Sequence, residues 1–172
     1  ITNSELRNLG IGGIRIGNGS SDCAITNSAI HDISSSGIFI GNNTGHNHGY
    51  CDPGTDVTGV VVRNNYITRT GLDIFGSSAI CALYTSDTVI DHNEVCYTTY
   101  TGISLGWGWD WKNAPCSGNN TVSNNYIHDT GKTIHDGGSF YSLGLQEGTK
   151  VFGNYLHHHS DGLYDKDGGL YT

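Results

Sequence analysis

The stretch Asn27-Ser28-Ala29-Ile30-His31-Asp32, followed by Gly37-Ile38-Phe39-Ile40-Gly41, decides the architecture. Both of its parts recur. The first is Asn, two residues, then Ile or Leu. It returns as Asn3-Ser4-Glu5-Leu6, Asn64-Asn65-Tyr66-Ile67 and Asn124-Asn125-Tyr126-Ile127, with weaker copies at His92-Asn93-Glu94-Val95 and Gly153-Asn154-Tyr155-Leu156. Successive copies begin 24, 37, 28, 32 and 29 residues apart. The second part is Gly, apolar, any residue, apolar, Gly. It returns as Gly13-Ile14-Arg15-Ile16-Gly17 and Gly102-Ile103-Ser104-Leu105-Gly106, and in diverged form as Phe140-Tyr141-Ser142-Leu143-Gly144. A third element precedes the Asn: Ala24-Ile25-Thr26, Val60-Val61-Val62-Arg63, Thr88-Val89-Ile90 and Asn120-Thr121-Val122. Self-similarity at this period marks a stack of repeated units. Strands this short do not hold as free hairpins, but they suit coils whose neighbours above and below complete the ladders. Alternation puts Ile, Leu and Val inside and Arg15, Phe39, Ser104 and Ser142 outside. The Asn position asks for a residue that tolerates a left-handed backbone and bonds to its stacked copy.

Composition agrees. Of 172 residues, 26 are Gly and only 2 Pro, Met is absent, and charged residues are 14% of the chain. Helix formers are scarce while Val, Ile and Tyr lie between Gly, Asn, Ser and Thr, which reads as all-β. The net charge of −8 and the pI near 5.4 argue against nucleic acid or an anionic membrane as partner, and no apolar run is long enough for a membrane span. Five cysteines (Cys23, Cys51, Cys81, Cys96, Cys116) without Cys-x-x-Cys spacing predict an oxidising, extracellular compartment with two disulfides of unassigned pairing. Sequons at Asn18, Asn42 and Asn119 permit glycosylation.

The repeats resemble right-handed parallel β-helix proteins of the pectate-lyase-like superfamily. The stretch 101–172 is closest to β-helix glycoside hydrolases. It carries Gly102-Ile103-Ser104-Leu105-Gly106-Trp107-Gly108-Trp109, Ile127-His128-Asp129, Asp136-Gly137-Gly138 leading to Tyr141, and Gly169-Leu170-Tyr171. The resemblance implies a single-stranded right-handed parallel β-helix of about six coils, each of three short strands. Residues 1–172 read as one segment without an internal boundary, and the chain starts and stops inside the repeat. The expectation is a piece of a longer β-helix or an end-to-end assembly that covers the coil edges.

Four longer connections, at 42–56, 106–119, 128–137 and 157–168, leave or enter the Gly-Ile-x-Ile-Gly strand and border one lateral face. Candidate chemistry gathers there. Asp136 and Asp167 each precede that strand, 31 residues apart. Stacked one coil apart, their carboxyls would lie roughly 5 Å from one another, the spacing of a retaining glycosidase pair, with one as nucleophile and the other as proton donor. The offset to the following Tyr is five residues for Asp136 and four for Asp167, and a wider separation would suit an inverting reaction. Asp161 and Asp165 are rival partners. Trp107, Trp109 and Trp111 offer flat surfaces for sugar rings. His135, beside Asp136, is the candidate proton-network or sugar-binding His, and Tyr141 and Tyr171 line the same strand position. His31-Asp32 and His128-Asp129 read as stacked turns rather than chemistry. His46, His48 and Cys51 are a weak metal motif, and Asp52 and Asp56 could help hold calcium; otherwise no cofactor or metal is expected.

The expected function is that of a secreted glycoside hydrolase acting on a plant or algal polysaccharide through an Asp pair, with a polysaccharide or oligosaccharide as partner. One alternative is a calcium-dependent polysaccharide lyase. That reaction needs a Lys or Arg base, and only Lys132 and Lys166 are near the face. The other is a non-catalytic extracellular β-helix that binds glycans or builds structure.

Overall fold

A computed structural model describes residues 1–17, 19–41, 56–107, 117–160 and 169–171, with Tyr171 described for backbone only. Three parallel sheets run along the stack. The first holds Glu5–Leu9, Ala29–Ile33, Tyr66–Thr70, Glu94–Cys96, Tyr126–Thr130 and Tyr155–His159. The second holds Ile14–Ile16, Ile38–Gly41, Ile80–Leu83, Ile103–Leu105, Phe140–Ser142 and Leu170–Tyr171. The third holds Ala24–Thr26, Val61–Arg63, Val89–Asp91, Thr121–Ser123 and Lys150–Phe152. A short pair, Val57–Thr58 with Thr85–Ser86, adds a minor ladder. Every pairing joins one coil to the next, so the chain is an all-β parallel helix with six rungs on two faces.

The core is a set of aliphatic columns. Ile25, Val62, Ile90 and Val122 stack in the third sheet, and Ile30, Ile67, Val95 and Ile127 in the first. All eight are at most 1% exposed. Each fully buried Ile or Val contributes on the order of 1.5–3 kcal/mol, and short strands can persist because their apolar faces join one continuous core.

The Asn motif divides its work between neighbours. The sequence reading placed the left-handed backbone and the stacking bond on one residue. In the structure the first position bends the chain: Asn3, Asn27, Asn64, His92, Asn124 and Gly153 all have φ between 49° and 67°. The second position builds the buried ladder. Asn65 Nδ2 donates to Asn93 Oδ1 at 2.9 Å, Asn93 Nδ2 to Asn125 Oδ1 at 3.0 Å, and Asn125 Nδ2 to Asn154 Oδ1 at 2.9 Å. The same amides also bond the carbonyls of Ile25, Val62 and Ile90 on the preceding coil. The physical reason is direction: a left-handed residue turns its side chain outward, and the next one turns inward.

Beside this ladder, Asp91 receives His92 Nδ1 at 2.8 Å, Ser123 Oγ at 2.7 Å, Asn124 Nδ2 at 3.1 Å and Arg63 Nε at 3.0 Å. Burial pushes its carboxyl up, but the hydrogen bonds of His92, Ser123 and Asn124 outweigh this and hold it at about 2. A depressed folded value means stability that is complete above the unfolded value and lost on acidification. Unfolding free energy should therefore fall between about pH 4 and pH 2. Asp91→Asn should flatten that limb in denaturant titrations at stepped pH, and an unchanged limb would refute the assignment.

Glycine is required where coils touch. Gly41 has φ 96°, and a Cβ there would run into the Leu83 carbonyl of the next coil. Gly41→Ala should cost at least about 2 kcal/mol, read as a lower chemical-denaturation midpoint at constant m-value.

Two readings need correction. The strand Phe140–Ser142 pairs Phe140 with Ile103 and Tyr141 with Ser104, so Tyr141 faces out and Ser142 falls opposite the inward Leu105. The diverged repeat was therefore aligned one residue off, because Phe140 replaces no glycine. The two disulfides are not found among the described residues either. Cys23, Cys81 and Cys96 are free thiols, and they flank or occupy the third, second and first sheets respectively, on different faces. Disulfide geometry needs Cα atoms within about 7 Å. Cys51 and Cys116 lie outside the described residues.

Candidate active-site groove

The second sheet forms the floor of a groove. Its outward residues fall in one row: Arg15 pairs with Phe39, Phe39 with Cys81, Cys81 with Ser104 and Ser104 with Tyr141. The strand Ile80–Leu83 supplies Cys81 to this row, a coil that the Gly-flanked motif missed because Ala79 and Leu83 stand near the places of its glycines. The groove encloses about 560 Å³, and its lining includes Phe39, Tyr100, Ser104, Trp107, Asp136 and Tyr141. The Arg15 guanidinium sits 4.7 Å from the Phe39 ring centre and covers the row at one end. Burial pushes the Cys81 thiol up to about 12, which disfavours the reactive thiolate.

Two equivalent turns build a wall. Gly71, Leu72, Asp73 and Ile74 donate their amides to carbonyls of Ser35, Ile33 and Ser34; Gly131, Lys132, Thr133 and Ile134 do the same to Tyr100, Thr98 and Thr99. Gly76, Ser77 and Ser78 follow the first turn into the groove, and Asp136 follows the second. Gly137 has φ 154°, and a side chain there would meet Thr101 Oγ1 and the Tyr100 ring at 2.8–2.9 Å. Asp-Gly-Gly is thus a threading device: Gly137 passes under Tyr100, Gly138 packs against Gly169 of the next coil, and Asp136 is left exposed on the rim. Among the described residues that line the groove, Asp136 is the only acid.

Of the other residues singled out in the sequence, Trp107 and Tyr141 line the groove with Asp136. His135 turns elsewhere: its Nδ1–H donates to the Ser160 carbonyl at 3.0 Å, and it is not in the lining. Tyr171 pairs with Tyr141 along the backbone ladder. Asp167, Trp109 and Trp111 lie outside the described residues, as do Asp161, Asp165, Lys166, His46, His48, Asp52 and the sequons at Asn18 and Asn42. The pairing of Phe140 with Leu170 sets the offset between these coils at 30 residues (170 minus 140), one less than the separation of the two aspartates. Lys132 is held by Asp129 at 2.9 Å, which ties up one of the two lysines near the face. Tyr100 was missed by sequence reasoning. It carries no motif, and only the turn that packs on residues 98–101 brings it to the groove.

A family model described as "Right handed beta helix region" matches residues 1–171. The chain belongs to this right-handed β-helix family. Among solved structures it is similar to one titled "Glycoside hydrolase", with 28% identity and a TM-score of 0.72 over 92% of this chain and 26% of that one. The chain thus spans about a quarter of the length of that relative. No curated protein matches.

Proposed function

We propose that this β-helix is carbohydrate-active, a glycoside hydrolase segment that lays an extended polysaccharide along the second sheet. The observation that carries the reading is an exposed carboxylate, Asp136, set among Phe39, Tyr100, Trp107 and Tyr141 in one open groove. Aromatic faces pack on the apolar faces of sugar rings, while hydroxyls and a carboxylate take the polar edges. The likeness to a solved glycoside hydrolase supports it.

In this reading Asp136 and Asp167 are the acid pair. One carboxyl protonates the departing glycosidic oxygen. The other attacks the anomeric carbon if the two lie about 5 Å apart, or deprotonates a water if they lie about 6.5–9.5 Å apart. The net charge of −8 favours a neutral glycan over a polyanion. Action on a polymer too large to enter cells fits a secreted protein. The test is release of reducing ends from plant and algal polysaccharides by the parent and by Asp136→Asn. Activity abolished by EDTA, with unsaturated products that absorb in the ultraviolet, would replace this reading by a calcium-dependent lyase. Glycan binding lost in Trp107→Ala, with no turnover in the parent, would replace it by a binding module.

A further inference from the structure

The first sheet carries a second cluster, and no residue of it lines the groove. Glu94 and Cys96 stand two apart on one strand, so both face outward. Cys96 pairs with His128 on the next coil. One donor atom from each of the three lies within 4.8 Å of the others, with His128 Nε2 at 3.5 Å from Glu94 Oε1. Cys96 and His128 are buried, while the Glu94 side chain is 45% exposed and leaves a path for an ion.

We propose that Glu94, Cys96 and His128 form a zinc site that ties consecutive coils together. The donor set is a carboxylate oxygen, a thiolate sulfur and an imidazole nitrogen, a combination that suits Zn²⁺. Donors around a tetrahedral Zn²⁺ stand roughly 3.3–3.8 Å apart. Closing from within 4.8 Å asks for a small inward shift of the three side chains, of which the exposed Glu94 has the most room to move. The surroundings prepare the imidazole. Asp129 Oδ2 lies 2.9 Å from His128 Nδ1, which places that ring proton on Nδ1 and leaves the Nε2 lone pair facing Glu94 and Cys96. Lys132 holds the other oxygen of Asp129 at 2.9 Å. A carboxylate behind the ligating imidazole is the usual support of a metal-bound histidine. Tyr126 stacks on the His128 ring at 4.3 Å and fixes its plane. On binding, the Cys96 thiol releases its proton to solvent and the sulfur becomes the ligand. The fourth position is left to water.

The test titrates Co²⁺ and then Zn²⁺ into the metal-free full chain. A thiolate-to-cobalt charge-transfer band in the near ultraviolet is expected, displaced by Zn²⁺. It should vanish in Cys96→Ser and persist in Cys81→Ser. Asp129→Asn, tolerated at this left-handed position of φ 52°, should weaken Zn²⁺ binding about 10–100-fold with the fold intact by circular dichroism. Zn²⁺ should also raise the thermal midpoint of the parent, and less so that of Glu94→Gln. Absence of the band in the parent overturns the site, as does a band that survives Cys96→Ser. If Cys96→Ser fails to fold, unchanged Zn²⁺ affinity in both Glu94→Gln and Asp129→Asn overturns it instead. None of these readouts depends on sugar chemistry, so the groove reading and the metal site fail separately.

Discussion

Asp136→Asn is expected to lower the rate of reducing-end release by about 10²–10⁴-fold, the usual share of a positioned acid or base, while the unfolding midpoint stays where it was. The two halves of this expectation have separate grounds. The carboxylate is the acid on the groove rim among the described lining residues, so under the proposed function the amide removes a proton donor or nucleophile from beside the aromatic floor. Its side chain is exposed, and the turn that carries it is held by the backbone amides of Gly131 to Ile134 and by close packing of Gly137 against Tyr100. Asn keeps the shape and leaves those interactions alone. Glycan affinity should change far less than turnover, because Phe39, Tyr100, Trp107 and Tyr141 remain. Reducing-sugar assays and binding isotherms on the same preparations check this. Full activity in a folded Asp136→Asn would remove Asp136 from the chemistry.

Asn93→Ala is expected to cost about 3 kcal/mol of stability. Asn93 is 1% exposed and sits in the middle of the ladder. Its Oδ1 accepts from the Asn65 backbone amide at 3.1 Å and from Asn65 Nδ2 at 2.9 Å, and its Nδ2 donates to the Val62 and Asp91 carbonyls and to Asn125 Oδ1. Alanine strands the Asn65 amide proton and the Val62 carbonyl where water does not reach, and each orphaned buried group costs about 1–3 kcal/mol. The neighbouring column gives the contrast. Asn64, with φ 54°, bonds Asn27 Oδ1 at 2.7 Å on the exposed corner. Glycine accepts that backbone without strain, so Asn64→Gly should stay within about 1 kcal/mol of the parent. Guanidinium unfolding of the two variants checks the difference. Equal losses would show that the ladder is not the support of the coils.

The repeat was legible because its causes are local. A left-handed corner, a short alternating strand and a glycine at a close approach each leave a mark at a fixed spacing. Columns such as Ile30, Ile67, Val95 and Ile127 could thus be read from the Asn-x-x-Ile spacing alone. The division of labour between Asn64 and Asn65 was not legible, since two adjacent asparagines look alike until the bend turns one outward and the other inward. The coil at Ile80–Leu83 was missed because its flanking glycines are replaced. The disulfides were expected from cysteine number, whereas Cys23, Cys81 and Cys96 are separated by the three faces of the stack.

By itself, then, the sequence determined a stack of short parallel strands with an aliphatic interior, and it pointed to Asp136, Trp107 and Tyr141 on one face. Only the tertiary structure decided which residues meet there. The row of Phe39, Cys81, Ser104 and Tyr141 draws on four coils, and Tyr100 joins it through a turn 31 to 34 residues further on. The trio of Glu94, Cys96 and His128 likewise assembles across two coils. The reason is geometric. Spacing along a chain reports the conformation of each segment, but contact between coils depends on register, and the unequal loops between repeats set register one coil at a time.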